Sequence, residues 1–295
     1  MYKNLVVTSD RINPLPISMR GPDHNSGLLL LDIKGLGNSE RIINKHAGPN
    51  ISGALINSVR RQVRTINLTF ICLEDPYLGT HKGRDILNRL FGGVKKIGIE
   101  RDQAVLTSLG FPWSQQDAYV WTDCVLESQT NNIYSRNENV EITLMCPSPY
   151  FVGDTVTTQL NRGLTPVINS GDVETPIKIT LVFTQDGVTE DILISRLPSN
   201  IFRFRLITSE VVNIIGRQIL SGDKIEITSN IGNKSVTHIA SNPGEYGVVT
   251  NIISAVDWHT SRWLTLSDEH GNFFWYEADQ LANATIYHQN LYEAV

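Results

Sequence analysis

Histidine and cysteine, the side chains most often used for metal binding and proton transfer, are scattered along this chain. The seven histidines are His24, His46, His81, His238, His259, His270 and His288. Two metal ligands on one face of a helix stand four residues apart, and no two of these histidines have that spacing. None of them lies at ligand spacing from a cysteine. The sequence therefore predicts neither a metal site nor a bound cofactor.

The three cysteines, Cys72, Cys124 and Cys146, are predicted to be buried free thiols. Their number is odd, they are far apart in the sequence, and Cys72 and Cys146 lie in apolar runs. This usage is typical of a protein made in a reducing cytosol. A nucleophilic cysteine needs a neighbouring base or positive charge, and the sequence indicates neither.

The other catalytic signatures are incomplete. Segment 34–40 (KGLGNSE) lacks the third glycine and the following helix of a dinucleotide site, and Ser39 lacks the flanking glycines of a nucleophile elbow. A hydrolase would need two carboxylates that face each other across a cleft, and the 30 Asp and Glu residues show no local pattern that selects such a pair. We predict no catalytic residue, so a structural or binding protein is favoured over an enzyme, with a hydrolase on a β-sandwich as an alternative.

One basic cluster is a candidate for contact with another protein chain. Arg60, Arg61 and Arg64 lie close together, and on a single strand Arg60 and Arg64 would share a face. A solvated surface is the default reading of such a cluster. Arginine is also common in protein interfaces, where its guanidinium pairs with carboxylates. The three arginines are therefore candidate interface residues.

A group of aromatic residues is a candidate for contact with a glycan or a partner. Its members are Trp258, Trp263, Phe273, Phe274, Trp275 and Tyr276. Rings of this kind can stack on sugars, and we single out Trp258 and Trp263 for that role. Alternate members of the later run, such as Phe273 and Trp275, are expected to fill a core.

Length and charge narrow the class of protein. The chain has 295 residues and a mass of 33.0 kDa, which suggests about two domains. Its formal net charge of −5 disfavours a protein whose main task is to grip DNA by its phosphates. The longest apolar run, residues 28–31, is far shorter than the ~20 residues that span a bilayer, and the N-terminus shows no secretory signal. We expect no membrane insertion.

Most of the sequence alternates apolar and polar residues, which predicts a mainly β protein. The clearest strands are expected within 63–73, 140–146, 177–183, 192–194, 202–206 and 224–228. One stretch is helical: Thr80 can cap a helix over 81–91, in which Ile86, Leu87, Leu90 and Phe91 form one apolar stripe before Gly92 and Gly93. A second helix is predicted over 277–284.

Proline-rich breaks divide the chain into two domains. Pro147 and Pro149 end one strand, and a polar stretch then runs to Pro166. We predict a domain of residues 1–150 that contains the helix, a stiff connector at 151–164, and an all-β sandwich at 165–295.

The order and spacing of several segments resemble a known family. In the first domain these segments are 64–70 (RTINLTF), 83–91 (GRDILNRLF) and 146–151 (CPSPYF). In the second domain they are 169–176 (NSGDVETP), 220–228 (LSGDKIEIT) with 234–236, 263–266 with 271–276, and the closing residues 291–295. Together they resemble the distal tail proteins of tailed bacteriophages and of related phage-tail-like particles. Glu293 or Ala294 stands where the family pattern has glycine, and residues 268–270 lengthen the approach to Gly271.

The resemblance implies both a fold and a role. The implied fold is a tail-tube-like β-sandwich or split barrel with one packed helix, followed by a galectin-like sandwich of the carbohydrate-module type. The implied role is a non-enzymatic, hexameric ring at the distal end of the tail tube, with a lumen through which DNA passes only in transit. Its partners would be further copies of itself, the tail tube protein, the tail hub protein and receptor-binding or baseplate arm proteins.

The same resemblance places the protein in the virion, at the tail tip or baseplate, after assembly in the cytoplasm of the host bacterium. We expect one long strand over 59–73 to line or adjoin the ring wall, with Arg60, Arg61 and Arg64 paired to acidic residues of a neighbouring copy. The alternative function is a carbohydrate-binding module that contacts the host surface through the second domain.

Overall fold

A computed structural model describes residues 4–11, 13–18, 27–46, 55–73, 81–101, 118–130, 139–197, 202–230, 232–241, 244, 246–268, 272–276 and 281–295. The described residues are mainly β, as the alternation of apolar and polar residues predicted. They form two compact units, one of Met1–Gly153 with Tyr292–Val295 and the other of Asp154–Leu291.

In its described residues, the first unit contains three small sheets and one helix. Its strands are β1 Asn4–Ser9, β2 Leu15–Ser18, β3 Leu28–Lys34, β4 Arg41–His46, β5 Leu55–Arg61, β6 Arg64–Cys72, β7 Val94–Glu100, β8 Tyr119–Asp123, β9 Val125–Thr130 and β10 Asn139–Cys146, and its helix is α1 His81–Phe91. One sheet has the order β2-β1-β7-β8, and a second has the order β3-β6-β10-β9. Of the strands that the structure describes, β4 pairs with β5 alone. All of these strand pairs are antiparallel.

The core of the first unit follows the predicted alternation. Ile66, Leu68 and Phe70 of β6 are fully buried, while Thr65 and Asn67 between them are exposed. The apolar stripe of α1 packs on this core, with the rings of Phe70 and Phe91 5.7 Å apart. The amide of Gly92 donates to the carbonyl of Asn88 where the helix ends. The Thr80 cap lies outside the described residues.

The second unit is a β-sandwich. Its strands are β11 Phe151–Leu160, β12 Gly163–Val167, β13 Thr175–Phe183, β14 Ile192–Leu197, β15 Phe202–Leu206, β16 Lys224–Thr228, β17 Ser235–Ile239, β18 Val249–Asn251, β19 Thr265–Leu266, β20 Asn272–Tyr276 and β21 Ala282–Tyr292, with helix α2 Thr208–Ile215 and a 3-10 turn at Ile253–Ala255. One sheet has the order β18-β17-β16-β13-β21-β11, and the other has the order β12-β20-β14-β15. The inner faces of both sheets contribute to one apolar core. The first residues of β11 and the last residue of β21 belong to the first unit.

Three expectations from the sequence differ from the structure, and one helix was not expected. Residues 282–284, predicted to be helical, lie in β21, and residues 277–280 lie outside the described part of the chain. The segment 151–164, predicted to be a stiff connector, contains β11 and the start of β12, because its alternating Val and Thr residues favour a strand. The strand expected over 59–73 is two strands, β5 and β6, which belong to different sheets. Helix α2 was not predicted.

Candidate functional site

Among the described strands, β4 and β5 pair only with each other and form a two-stranded ribbon that exposes four large apolar side chains. Ile42, Ile43, Ile56 and Val59 are between 44% and 64% exposed, and none of them belongs to either hydrophobic core. A two-stranded hairpin without a covered face is only marginally stable in water. Exposed apolar side chains concentrated on one such element indicate a surface that another molecule covers.

The register of the ribbon places apolar side chains on both of its faces. Ile43 lies opposite Val59, and Ile42 lies opposite Arg60. Because successive residues of a strand point to opposite faces, Ile43 and Val59 share one face and Ile42 lies on the other. The ribbon could therefore be covered on both sides at once.

The base of the ribbon is attached to the closing segment of the chain. The guanidinium of Arg61 forms an ion pair with the carboxylate of Glu293 and lies over the ring of Tyr150, 5.5 Å from its centroid. Arg41 reaches the second carboxylate oxygen of Glu293 at 4.0 Å. The carboxylate partner that the sequence suggested for Arg61 on a neighbouring copy is thus supplied within the chain.

Arg64 is an internal residue rather than an interface residue. Its side chain is only 3% exposed, and its guanidinium donates five hydrogen bonds to backbone carbonyl oxygens. The acceptors are the carbonyls of Gly35 at 2.7 Å, Gly37 at 2.5 Å, Glu293 at 2.5 Å and Pro149 at 2.8 and 3.2 Å. The interface role expected for Arg64 is therefore wrong, because a guanidinium bonded in this way cannot reach a second chain.

One of the carbonyls that accept from Arg64 belongs to Gly35, which has an unusual backbone conformation. Gly35 has a φ of 90°, and a Cβ at this position would come within 2.1 Å of the carbonyl oxygen of Thr65. Only glycine can adopt this conformation so close to β6, and it turns the carbonyl of Gly35 toward Arg64. The guanidinium also lies over the ring of Phe151, 4.3 Å from its centroid. Burial lowers the pKa of Arg64 from its ordinary value, but an arginine stays protonated in a protein.

Arg60 is the member of the basic cluster that remains on the surface. It lies on the exposed ribbon, whereas Arg64 begins β6 in another sheet, so the two do not share a face as expected. The chain leaves the ribbon at Gln62, whose amide donates to the carbonyl of Glu40 at 2.9 Å. The candidate interface is thus the ribbon, in which Arg60 is the exposed member of the predicted basic cluster.

Trp258 and Trp263 lie together at the edge of the sandwich in the second unit. Their ring centroids are 5.1 Å apart, and both rings lie about 6 Å from the buried ring of Phe204. Trp263 packs against the core, and Lys234 lies 5.7 Å from its ring centroid. Trp258 remains 39% exposed and donates its indole N–H to the carbonyl of Ile253 at 3.2 Å. The structure brings these two predicted residues together but uses Trp263 mainly for packing.

The run 273–276 has the opposite register to the one expected. Phe274 and Tyr276 fill the core, whereas Phe273 and Trp275 point outward and are each 38% exposed. Asn272 fixes this register, because it is buried and exchanges two hydrogen bonds with the backbone of Ser267. The sequence shows an asparagine directly before the aromatic run. Its position could have indicated which aromatic side chains point inward, whereas the number of aromatic residues could not.

Two carboxylates of the second unit, Asp191 and Asp257, form ion pairs with the same arginine. Arg205 lies between Asp191 and Asp257, at 2.7 Å and 3.5 Å. Hydrogen bonding from Thr260, with a smaller contribution from the charge of Arg205, lowers the pKa of Asp257. A glycosidase acid needs a raised pKa, so this pair does not provide the hydrolase that was kept as an alternative.

Within the described ranges, no group of three or more His, Cys, Asp and Glu side chains could hold a metal ion. The helices seen in those ranges are too short or too polar to cross a bilayer. None of the three cysteines forms a disulfide, and all three are buried. Burial raises the pKa of Cys124 to about 12 and that of Cys146 to about 11.

Cys124 and Cys146 should be inert in the folded protein. A thiol with a pKa of about 11 is ionised in roughly one molecule in a thousand at pH 8, and only the thiolate reacts. We expect labelling by a maleimide to be slower by roughly two orders of magnitude in the native protein than in urea. Mass spectrometry of the labelled protein measures this. A Val249→Cys variant, at a site 62% exposed, serves as the reactive control, and equal rates at the native cysteines would contradict the prediction.

Neither a protein-family model nor a curated protein sequence matches the chain. Among solved structures, the chain is similar to the Dit protein of phage SPP1, described as a paradigm of the hub adsorption apparatus in phages that infect Gram-positive bacteria. The match covers 97% of this chain and 98% of that one, at a TM-score of 0.62 and 15% sequence identity.

Two structures of the phage p2 baseplate in its activated conformation, one with Ca and one with Sr, match at TM-scores of 0.46 and 0.45 and 10% identity. They cover 100% and 99% of this chain and the same shares of theirs. The likeness to SPP1 Dit extends over nearly the whole chain. It shows that the chain has the mainly β fold of a phage tail hub protein, which the resemblance to distal tail proteins predicted.

Proposed function

We propose that this protein is a structural component of a phage tail tip, and that copies of it form a ring through the ribbon β4–β5. The observation that carries the proposal is the ribbon itself, because it exposes apolar side chains on both faces and belongs to neither core. The fold shared with SPP1 Dit supports the location at the tail tip.

A ring needs two different surfaces on each copy. In a closed ring every contact is heterologous, so a projecting element of one copy lies against another surface of the next copy. A ribbon with apolar side chains on both faces suits such a contact, since insertion buries Ile42, Ile43, Ile56 and Val59 together. Arg60 is then available to pair with a carboxylate at the rim of the contact.

A ring at the tail tip also implies what the protein connects. The ring, which we take to be hexameric, joins the tail tube to the hub and serves as a platform for receptor-binding or arm proteins. The net charge of −5 suits a conduit through which DNA must pass without adhering. The protein is then a non-enzymatic part of the virion that is assembled in the cytoplasm of the host bacterium.

Replacing Ile43 and Val59 together with lysine should abolish the ring. Two ammonium groups on the covered face would be buried without partners, which costs several kcal/mol and weakens association by at least ~100-fold. Light scattering and negative-stain images measure the assembly. The unaltered chain should form annular particles of about 198 kDa, which is six copies of 33.0 kDa. The double variant should remain monomeric.

A Val249→Lys variant is the matched control, since Val249 is also an exposed valine on a strand but lies in the second unit. It should assemble like the unaltered chain, and all three proteins should unfold at the same temperature because the ribbon is outside both cores. A double variant that still forms rings at the same concentration would remove the ribbon from the interface. An unaltered chain that stays monomeric at every concentration would count against self-assembly itself.

A further inference from the structure

The outer face of the sheet β12-β20-β14-β15 carries a continuous row of side chains across its four strands. Leu164 lies opposite Trp275, Trp275 lies opposite Ser195, and Ser195 lies opposite Arg203. Residues that lie directly opposite each other on one face are within contact distance across neighbouring strands. We call these four residues the outer row.

A second apolar line runs beside the outer row. Phe273 lies two residues before Trp275 on β20, so the two rings share the outer face. Phe273 pairs with Pro166 on one side and Leu197 on the other. Trp275 and Phe273 therefore form the centre of a flat aromatic surface.

The sandwich holds these two rings in place from below. Phe274 and Tyr276 alternate with them along β20 and are completely buried, so the backbone that presents Phe273 and Trp275 is fixed by the core. The nearest atom of the Trp275 ring lies 4.0 Å from where a Cβ of Gly163 would be, so the glycine leaves room beside this edge of the indole. A partly exposed aromatic ring on a backbone that the core fixes can stack on a ligand with little further ordering.

The size of the patch favours a small ligand over a protein. A stable protein–protein interface buries about 800 Å² on each partner. The apolar part of this patch consists of a few side chains, of which Leu164 at 50% and the two rings at 38% are the most exposed. One or two sugar rings match that area, and their hydroxyl groups find hydrogen-bonding partners in Ser195 and Arg203 of the same row.

The charge at the end of the row indicates the kind of sugar. Arg203 is exposed, and no carboxylate in the described part of the chain forms an ion pair with it. The neighbouring Arg205 is neutralised by Asp191 and Asp257. Arg203 is therefore a cation available to an anionic group beside the stacked ring.

We propose that the outer row binds an anionic glycan, with a sugar ring stacked on Trp275 and its carboxylate or phosphate group paired with Arg203. The inference is independent of the ring proposed above, because it rests on residues of the second unit alone. It also moves the candidate glycan contact from Trp258 and Trp263 at the sandwich edge to the outer face of β20.

The test measures binding of the full chain to three polysaccharides by isothermal titration calorimetry at 150 mM salt: polygalacturonate, which carries carboxylates, a phosphomannan, which carries phosphates, and unmodified mannan. The unaltered chain should bind at least one of the two anionic polymers. The Trp275→Ala variant should lose at least ~10-fold in affinity. Arg203→Gln should reduce affinity for the anionic polymer to that for mannan. The better of the two polymers identifies the acidic group.

Trp258→Ala is the matched control, because it removes an equally exposed tryptophan outside the outer row. It should leave binding unchanged, and thermal unfolding shows whether each variant is folded. Failure of the unaltered chain to bind either anionic polymer at millimolar concentration overturns the proposal. So does a Trp275→Ala variant that binds as before. A folded Trp275→Ala variant that assembles poorly while binding the polymer normally would instead identify the face as a protein contact.

Discussion

Replacing Arg64 with methionine should destabilise the first unit by about 3–5 kcal/mol. The guanidinium donates five hydrogen bonds to carbonyls of three separate segments, around Gly35, Pro149 and Glu293. A hydrogen bond to a charged group contributes about 1.5–3 kcal/mol, and methionine replaces none of them. A loss of this size is a large part of the 5–15 kcal/mol that typically holds a domain together.

Hydrogen exchange read out by mass spectrometry measures this effect separately in the two units. Peptides of β6 and β10 should lose protection, whereas peptides of β13 and β21 should keep it, since Arg64 has no role in the sandwich. Arg60→Met is the matched control on the exposed ribbon and should change stability by less than about 0.5 kcal/mol. Arg64→Lys should fall between the two, because three ammonium donors cannot replace a planar fork of five. Equal protection in Arg64→Met and Arg60→Met would contradict the role assigned to Arg64.

Replacing Asp223 with asparagine should destabilise the second unit by about 3–5 kcal/mol. Asp223 is completely buried and accepts hydrogen bonds from the guanidinium of Arg217 at 2.8 and 3.2 Å and from the amide of Ser241 at 2.8 Å. His238, which is also buried, contacts the same carboxylate at 3.0 Å. The variant would remove the carboxylate charge that pairs with Arg217 and place an amide N–H₂ among donors.

The same site gives stability a defined pH dependence. Burial alone would raise the pKa of Asp223, but the hydrogen bonds from Arg217, Ser241, Leu220 and His238 outweigh it and hold that pKa well below its ordinary value. A carboxyl whose pKa is lower in the folded state contributes its full stabilisation above its unfolded pKa of about 3.9, and loses it as the pH falls below that value. Urea unfolding should therefore show a difference between the unaltered chain and Asp223→Asn that is constant near pH 7 and shrinks below pH 4.

Glu226→Gln is the control for Asp223→Asn. Glu226 also pairs with a cation, Lys178 at 2.8 Å, but both side chains are partly exposed. An ion pair of this kind contributes about 0–1 kcal/mol, so this variant should unfold almost as the unaltered chain does. The role of Asp223 would be refuted by an Asp223→Asn variant as stable as Glu226→Gln.

Local patterns in the sequence predict those strands and helices whose buried side follows a regular spacing of apolar residues. The alternation along β6 and β13 identifies the buried sides of both strands, and the stripe of Leu87, Leu90 and Phe91 identifies the core face of α1. In these segments the period of the apolar residues and the period of the backbone agree, so tertiary contacts only reinforce the local preference.

Long-range contacts determine what the sequence does not reveal. Helix α2 begins where the amide of Thr208 donates to the carboxylate of Asp191, and where the Thr208 hydroxyl donates to the carbonyl of Glu190. Both partners lie well before the helix in the sequence, so no local capping signal shows them. The inward orientation of Arg64 likewise depends on Glu293, more than two hundred residues away. The sequence therefore could not show that Arg64 and Arg61 find their partners within the chain.

The closing segment Tyr292–Val295 determines when the first unit can be completed during synthesis of the chain. Tyr292 is buried in the core of the first unit, Glu293 accepts from Arg64 and pairs with Arg61, and the amide of Val295 donates to the carbonyl of Leu36. At roughly 5–20 residues per second, a ribosome needs on the order of ten seconds to translate the second unit before these residues emerge. During that interval a nascent chain holds Arg64 and Arg61 without these partners. The first unit is thus completed only after translation of the second.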